Sequence, residues 1–302
     1  MNFNYHTSPP VHSASGRKQK EPKPRVTRVL MIFVILAALG IVFYIQNNTP
    51  SVLEDGVFVH FVDVGQGDAI ILQSGEYAIL IDAGPPVASN ALLNYINEIG
   101  ISRFNLIVLT HPHSDHIGGA AAVLRRFGAD EVWIPDVVHS TSTFENLLDA
   151  IEAQNLNFYN PETGDVFLAG ELSLFVVLAD HNANETNNAS IVLRLVYGET
   201  SFLFTGDMEA SAERKAIAGD VELLSDVLKI AHHGSRTSST DAFLDAVNPR
   251  VAVISLGANN RFGHPHPTVM ERLNLRQIPV LRLDELGTIV LFTDGNNIYA
   301  EN

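Results

Sequence analysis

From residue 57 onward the chain alternates short apolar runs with polar, glycine-rich joints. Residues 57–63, 68–73 and 77–82 read as three strands in an antiparallel opening, with Gly65, Gly67, Ser74 and Gly75 as turn residues between them. Over 88–99 the apolar spacing becomes helical, and a strand at 106–110, a helix at 119–127 and a strand at 131–134 continue in alternation. The second half repeats this more loosely: strands at 171–178, 191–197 and 201–205, a helix at 209–218 and a strand at 226–231. A helix at 240–247, a strand at 251–255, a helix at 267–275 and strands at 280–284 and 288–293 follow. No linker separates the halves. The pattern predicts one α/β domain over 56–302, two packed sheets with helices on the outer faces and polar loops along one edge.

The first 55 residues have a different character. Residues 1–28 carry Arg17, Lys18, Lys20, Lys23, Arg25 and Arg28 against Glu21 alone, with Pro9, Pro10, Pro22 and Pro24 opposing regular structure, which predicts a disordered basic tail. No charge interrupts Val29 to Ile45, and Val26 and Thr27 extend this run toward the ~20 residues that span a bilayer. The linker 47–55 begins Asn47-Asn48-Thr49-Pro50 and offers no small-x-small cleavage site. An uncleaved single-pass transmembrane helix over 29–46 is therefore expected, with the basic tail cytoplasmic and the domain extracytoplasmic.

Charge and composition narrow the chemistry. Residues 1–28 hold six of the 19 basic and one of the 34 acidic residues, so the rest has 13 against 33, a formal balance of −20. Such a field disfavours tight non-specific nucleic-acid binding unless a cleft is locally basic. With zero cysteines there are no disulfides, thiolate ligands or cysteine nucleophiles, so any metal must be held by nitrogen and oxygen.

The segment His111-Pro112-His113-Ser114-Asp115-His116 supplies such groups directly after the apolar run 106–109. His111 and His113, two apart on an extended chain, point to the same side, and Asp115 and His116 sit where a helix would begin, so the two pairs can face adjacent ions. Gly118 and Gly119 let that helix start close by. Two further apolar runs also end in polar groups: Phe202-Leu203-Phe204 before Thr205-Gly206-Asp207, and 227–230 before His232-His233-Gly234-Ser235. Asp207 suits a carboxylate shared by two ions about 3.5 to 4 Å apart. Neighbouring residues at a strand end point oppositely, so one of His232 and His233 is expected to be a ligand, with His233 favoured, and the other to reach substrate or an outer position. Gly263-His264-Pro265-His266-Pro267 follows the strand at 251–255 and starts a helix at Pro267. His60, His139 and His181 stand alone and read as core or surface residues.

The ordered set Asp63-Val64-Gly65-Gln66-Gly67-Asp68, Asp82-Ala83-Gly84, His111 to His116, Asn188-Ala189-Ser190, Thr205-Gly206-Asp207, His232 to Ser235 and Gly263 to Pro267 resembles the metallo-β-lactamase superfamily. Within it the motifs are most similar to the hydrolase domain of competence DNA-uptake proteins of the ComEC/Rec2 type. The resemblance covers roughly 56–302. It implies a four-layer αββα sandwich and two divalent ions, His111 and His113 on one, Asp115 and His116 on the other, Asp207 between them. Two departures stand out. The superfamily's usual third histidine for the first ion is not found in the loop 185–190, so that ion is expected to be weakly held or bound by Asn188, and oxygen-rich ligation makes Mn²⁺ a rival to Zn²⁺. With a single expected membrane segment, the many-helix channel of full competence proteins, and with it the role of a DNA pore, is not expected in this chain.

The expectation is a membrane-anchored, dinuclear metal-dependent hydrolase of phosphodiesters, DNA among them. Asp115 would orient the nucleophile, and His264, His266 or the free member of His232 and His233 would stabilise the leaving oxygen. Arg236 and Arg261 would pair with phosphate, with Ser235 and Asn188 nearby. The alternatives are a lactam, thioester or glyoxalase-like hydrolase on the same fold, whose branches generally keep the third histidine, and a non-catalytic tethered binding module.

Overall fold

Three strands open the part of the chain that the computed structural model describes, residues 56–137 and 139–301. The tail 1–28, the expected transmembrane helix 29–46 and the linker 47–55 lie outside the described residues. Among the described residues no helix is long and apolar enough to cross a membrane.

Strands β1 (Val57–Phe61), β2 (Ile70–Ser74) and β3 (Tyr77–Ile81) form an antiparallel meander, and β4 (Phe104–Val108), β5 (Ala129–Trp133) and β6 (Phe158–Tyr159) extend it in parallel. The second sheet starts as an antiparallel set, β7 (Val166–Ala169), β8 (Leu172–Leu178), β9 (Val192–Tyr197) and β10 (Thr200–Phe204). It continues in parallel through β11 (Val227–Lys229), β12 (Val251–Ile254) and β13 (Val280–Arg282). The chain then returns to the first sheet, where β14 (Ile289–Thr293) pairs with β1 and β15 (Ile298–Glu301) with β14.

Side-chain alternation builds the layers. Val57, Val59, Phe61, Ile70, Leu72, Ile79 and Ile81 from the first sheet meet Leu193, Leu195, Phe202, Phe204 and Val253 from the second in one buried core. The opposite faces of the same strands, Ile71, Leu80 and Ile107 on one side and Leu203, Leu228 and Ile254 on the other, pack against helices. Burial on both faces is why these strands read as continuous apolar runs. Helices α1 (Ser89–Glu98), α2 (Ser114–Ile117), α3 (Ala120–Phe127) and α4 (Ser142–Ala153) lie on the first sheet. Helices α5 (Ala210–Ala218), α6 (Asp241–Val247) and α7 (Pro267–Leu275) lie on the second, and a short α8 (Leu283–Leu286) precedes β14. The architecture is the expected αββα sandwich.

Several elements depart from the sequence expectation. Helix α4 was not anticipated. It is started by Thr141, whose hydroxyl accepts from the Phe144 N–H at 3.3 Å, and it buries Phe144, Leu147 and Ile151. The expected strand at 280–284 stops at Arg282, because Leu283–Leu286 turns into α8. Strands β6, β7 and β15 complete the edges, and their exposed positions, such as Phe158 and Leu168, blurred the pattern. The polar groups that follow β3, β4, β10, β11 and β12 all leave at C-terminal strand ends, so they collect at one rim.

Candidate metal centre

The rim is assembled around Asp82, which directly follows β3. Its Oδ1 accepts the Thr110 N–H at 2.8 Å, and its Oδ2 accepts the Thr110 hydroxyl at 2.7 Å and lies 2.7 Å from His116 Nδ1. That last contact fixes the imidazole so that Nε2 points away, toward Asp207. Helix α2 reaches this position because Gly118 and Gly119 press against the preceding loop: a Cβ on Gly119 would collide with the Ala83 carbonyl oxygen. The glycine pair works as the sequence suggested, by permitting close approach.

Asp207 lies at the centre, buried and flanked on both oxygens. Its Oδ1 is 3.3 Å from His116 Nε2 and 3.6 Å from His233 Nε2, while its Oδ2 is 3.8 Å from His111 Nε2 and 3.8 Å from His232 Nε2. Asp115, at the start of α2, joins from the solvent side with Oδ2 3.5 Å from His233 Nε2. His113 Nδ1 meets His111 Nε2 at 3.1 Å. Single ligand atoms of Asp115, His116, Asp207 and His233 all lie within 4.8 Å of one another.

The pair after β11 is arranged unlike the expectation. His232 (φ 50, ψ 44) and His233 (φ 53, ψ 25) are both left-handed, so the neighbouring side chains do not diverge as they would on a strand. Both face Asp207. Such consecutive left-handed residues cost of order 1–3 kcal/mol each, and the surrounding structure must hold them. His233 is anchored by Nδ1 against the Ser255 carbonyl at 2.9 Å, and His232 by Nδ1 3.4 Å from Glu209 Oε1.

Beneath the imidazoles lies a buried ion pair that had no assigned role in the sequence. Lys229, at the end of β11, is 1% exposed; its Nζ forms a close ion pair with Asp68 and donates to the Gly206 carbonyl at 3.1 Å. Asp68 Oδ1 in turn lies 3.5 Å from His233 Nδ1.

Protonation follows from this packing. Burial first, and then the neighbouring imidazoles, push His111 well below the usual histidine range, leaving a neutral ring of the kind a metal needs, and burial lowers His113 as well. Burial opposes charge on His116 and His233 too. The carboxylates of Asp207 and Asp82 nevertheless hold His116 well above its ordinary value, and those of Asp207, Asp115 and Asp68 raise His233 to about 9. Asp115 is held at about 2, since contacts with His233 and His116 outweigh burial. A pocket that draws protons onto two buried imidazoles has a field that favours any cation.

The remaining sequence candidates are distributed as follows. His264 is half-buried, with its ring 5.8 Å from that of His232, an unpartnered Nδ1, and a pKa pushed down to about 4 chiefly by burial. His266 caps α7, its Nδ1 accepting from the Thr268 N–H at 3.2 Å. Asn188 holds the Glu209 N–H with Oδ1 at 3.0 Å. Ser235 shapes its own loop, with its hydroxyl 3.0 Å from that of Thr237. Arg236 and Arg261 are exposed, and the Arg261 guanidinium lies 5.3 Å over the Phe262 ring. Asp68, Asp82, Lys229, Glu209 and Asn187 join the site without having been assigned to it. His139, read from sequence as core or surface, has its ring 5.9 Å from that of His113.

The donor set fits divalent ions. His116 Nε2, His233 Nε2 and Asp207 Oδ1 are buried without a hydrogen-bond partner, although they converge on one another. Orphaned buried atoms of this kind are costly unless something joins them, and ligands sharing one cation at about 2.0–2.2 Å each stand about 3–4 Å apart.

Comparison with known proteins gives the same picture. The family model described as "Metallo-beta-lactamase superfamily" matches residues 62–258. Among curated proteins, "ComE operon protein 3" of Bacillus subtilis is 31% identical over 252 residues, 76% of this chain and 32% of that protein. "Recombination protein 2" of Haemophilus influenzae is 32% identical over 250 residues, 80% of this chain and 29% of that protein. The chain thus spans about a third of the length of these relatives. Among solved structures, the metallo-β-lactamase fold protein YhfI of Bacillus subtilis superposes with a TM-score of 0.52 at 12% identity, covering 81% of this chain and 100% of that one.

Proposed function

Because the chain belongs to the metallo-β-lactamase superfamily, with curated relatives among competence proteins, we propose that it is a two-metal hydrolase of phosphodiesters, with polynucleotides as its substrate class. One observation carries the reading: a buried Asp207 with two imidazoles on each carboxylate oxygen and three convergent ligand atoms left without partners. His111 and His113 would hold one ion, Asp115, His116 and His233 the other, with Asp207 between. Ions bound there would lower the pKa of water to about 7 and neutralise charge building on phosphoryl oxygens. Zn²⁺ is the first candidate and Mn²⁺ the rival, given nitrogen and oxygen donors only.

The chain's own residues supply orientation. Asp115, about one-third exposed at 32%, faces both His233 and solvent, which suits a carboxylate that directs the attacking water. His264 is neutral at physiological pH, so it would stabilise a leaving oxygen by donating a hydrogen bond and not by giving up a proton. Beside it the Phe262 ring, 56% exposed, stacks on His264 with centroids 5.8 Å apart, and the Arg261 guanidinium lies over the same Phe262 ring. A cation and an aromatic face next to an anion-binding centre suit a nucleotide better than a lactam, since base stacking contributes about 1–3 kcal/mol per base. On this reading Phe262→Ala raises KM for an oligonucleotide about 5-fold or more, which steady-state kinetics on a labelled oligomer will check.

Residues 29–46 would anchor the enzyme, with residues 1–28 cytoplasmic and the hydrolase domain on the other side of the membrane. The deciding experiment for the activity compares bis-(p-nitrophenyl) phosphate, a chromogenic lactam and a thioester in Zn²⁺ and in Mn²⁺. Phosphodiester turnover that is lost on chelation is the expected result. Turnover of the lactam or thioester alone would overturn the assignment.

A further inference from the structure

We propose that His232, held by Glu209, is the third nitrogen ligand of the first ion, taking the place of the histidine missing from the loop 185–190. The inference rests on the two-metal reading of the site and assigns a ligand within it.

The geometry about Asp207 is paired. Oδ1 is shared by His116 and His233 at 3.3 and 3.6 Å; Oδ2 is shared by His111 and His232, both at 3.8 Å. His113 joins the His111 side through its Nδ1, 3.1 Å from His111 Nε2. Drawn together by an ion, His111, His113, His232 and Asp207 would supply three nitrogens and one oxygen, a number suited to a tetrahedral divalent site.

The way His232 is held also matches its neighbours. A ligating imidazole normally engages a carboxylate or carbonyl through its other ring nitrogen, which fixes the ring and raises its basicity. His116 has Asp82 in that position and His233 has the Ser255 carbonyl. His232 has Glu209, with Oε1 3.4 Å from Nδ1. Glu209 is itself braced: the Thr237 hydroxyl donates to Oε1 at 3.0 Å, the Asn187 amide donates to it at 3.3 Å, and the Glu209 N–H donates to Asn188 Oδ1 at 3.0 Å. The two asparagines of the loop that lacks a histidine thus position the carboxylate that positions His232. The left-handed backbone at His232, strained for a non-glycine residue, is what turns the ring inward beside His233.

The test counts metal and needs no turnover. The full-length protein and its variants are dialysed against buffered Mn²⁺ or Zn²⁺, and bound metal per chain is measured by mass spectrometry. The wild type is expected to take up two ions. His232→Asn, chosen because asparagine tolerates the left-handed conformation, is expected to retain one ion tightly and to bind the other at least about 10-fold more weakly. Glu209→Gln, which leaves the ligand in place, weakens the same ion by about 10- to 100-fold while still reaching two at high metal. Retention of one tight ion also reports that each variant is folded. Two ions bound by His232→Asn with wild-type affinity, loss of both ions, or a wild type that binds a single ion would each overturn the assignment. A wild type that binds two ions through His232 but hydrolyses no phosphodiester would sink the proposed activity and leave this ligand in place.

Discussion

Asp207→Asn is expected to reduce bound metal below one ion per chain and to lower phosphodiester turnover by about 10³-fold or more. The substitution keeps the volume and one carbonyl oxygen but removes the charge that both halves of the centre share. Four imidazole nitrogens lie 3.3 to 3.8 Å from the two carboxylate oxygens, two on each oxygen, so the Asp207 side chain joins both ligand groups. An amide also presents an NH₂ group to one pair of imidazoles, which a cation cannot share. Asp115→Asn should be milder on metal content, because that side chain belongs to the His116 and His233 group and remains 32% exposed. The check is metal analysis of both variants beside initial rates on bis-(p-nitrophenyl) phosphate. If Asp207→Asn keeps two ions and loses only rate, the carboxylate is not the shared ligand and the two-ion geometry is wrong.

The site was legible where chemistry-bearing residues follow an apolar run. His111, His113, Asp115 and His116 after β4, Asp207 after β10 and His233 after β11 were all readable because a buried strand announces where its polar end must surface. What could not be read depended on backbone torsions and on distant partners. The inward turn of His232 requires a left-handed residue, and a histidine carries no sign of it in the sequence. Lys229 sits in the run Val227-Leu228-Lys229-Ile230, where a lysine ordinarily marks a solvent-facing strand position. Its burial makes sense only with Asp68, which arrives from the loop before β2 in the other sheet. Likewise the fold class followed from the strand and helix periods, whereas α4 lay hidden behind the serine- and threonine-rich stretch 140–143, whose capping role appears only once Phe144 and Leu147 are seen to be buried.

The Lys229–Asp68 pair sets up the largest expected loss of stability. Lys229→Met keeps the length and apolar stem of the side chain, so little packing is lost. What remains is a carboxylate 1% exposed with its principal countercharge gone. Breaking a buried pair from one side destabilises by about 3–5 kcal/mol, because the remaining charge is uncompensated. Burial acts to raise the Asp68 pKa, but Lys229 and His233 outweigh it and hold the carboxyl at about 2, below its ordinary 3.8. The sign follows from that depression: the wild-type contribution is fully present above 3.8 and is lost as pH falls through about 2. In Lys229→Met burial prevails and the carboxyl shifts upward, so the variant is penalised most at neutral pH and less as acidity approaches the ordinary carboxylate range. Asp68→Asn in the Lys229→Met background removes the stranded charge and should recover part of the loss. Urea unfolding of the wild type, Lys229→Met, Asp68→Asn and the double variant at pH 7 and at pH 5, with metal held constant, measures both the coupling and its pH dependence. A Lys229→Met variant as stable as the wild type at pH 7 would mean that water reaches Asp68 and that the pair does not support the floor of the metal centre.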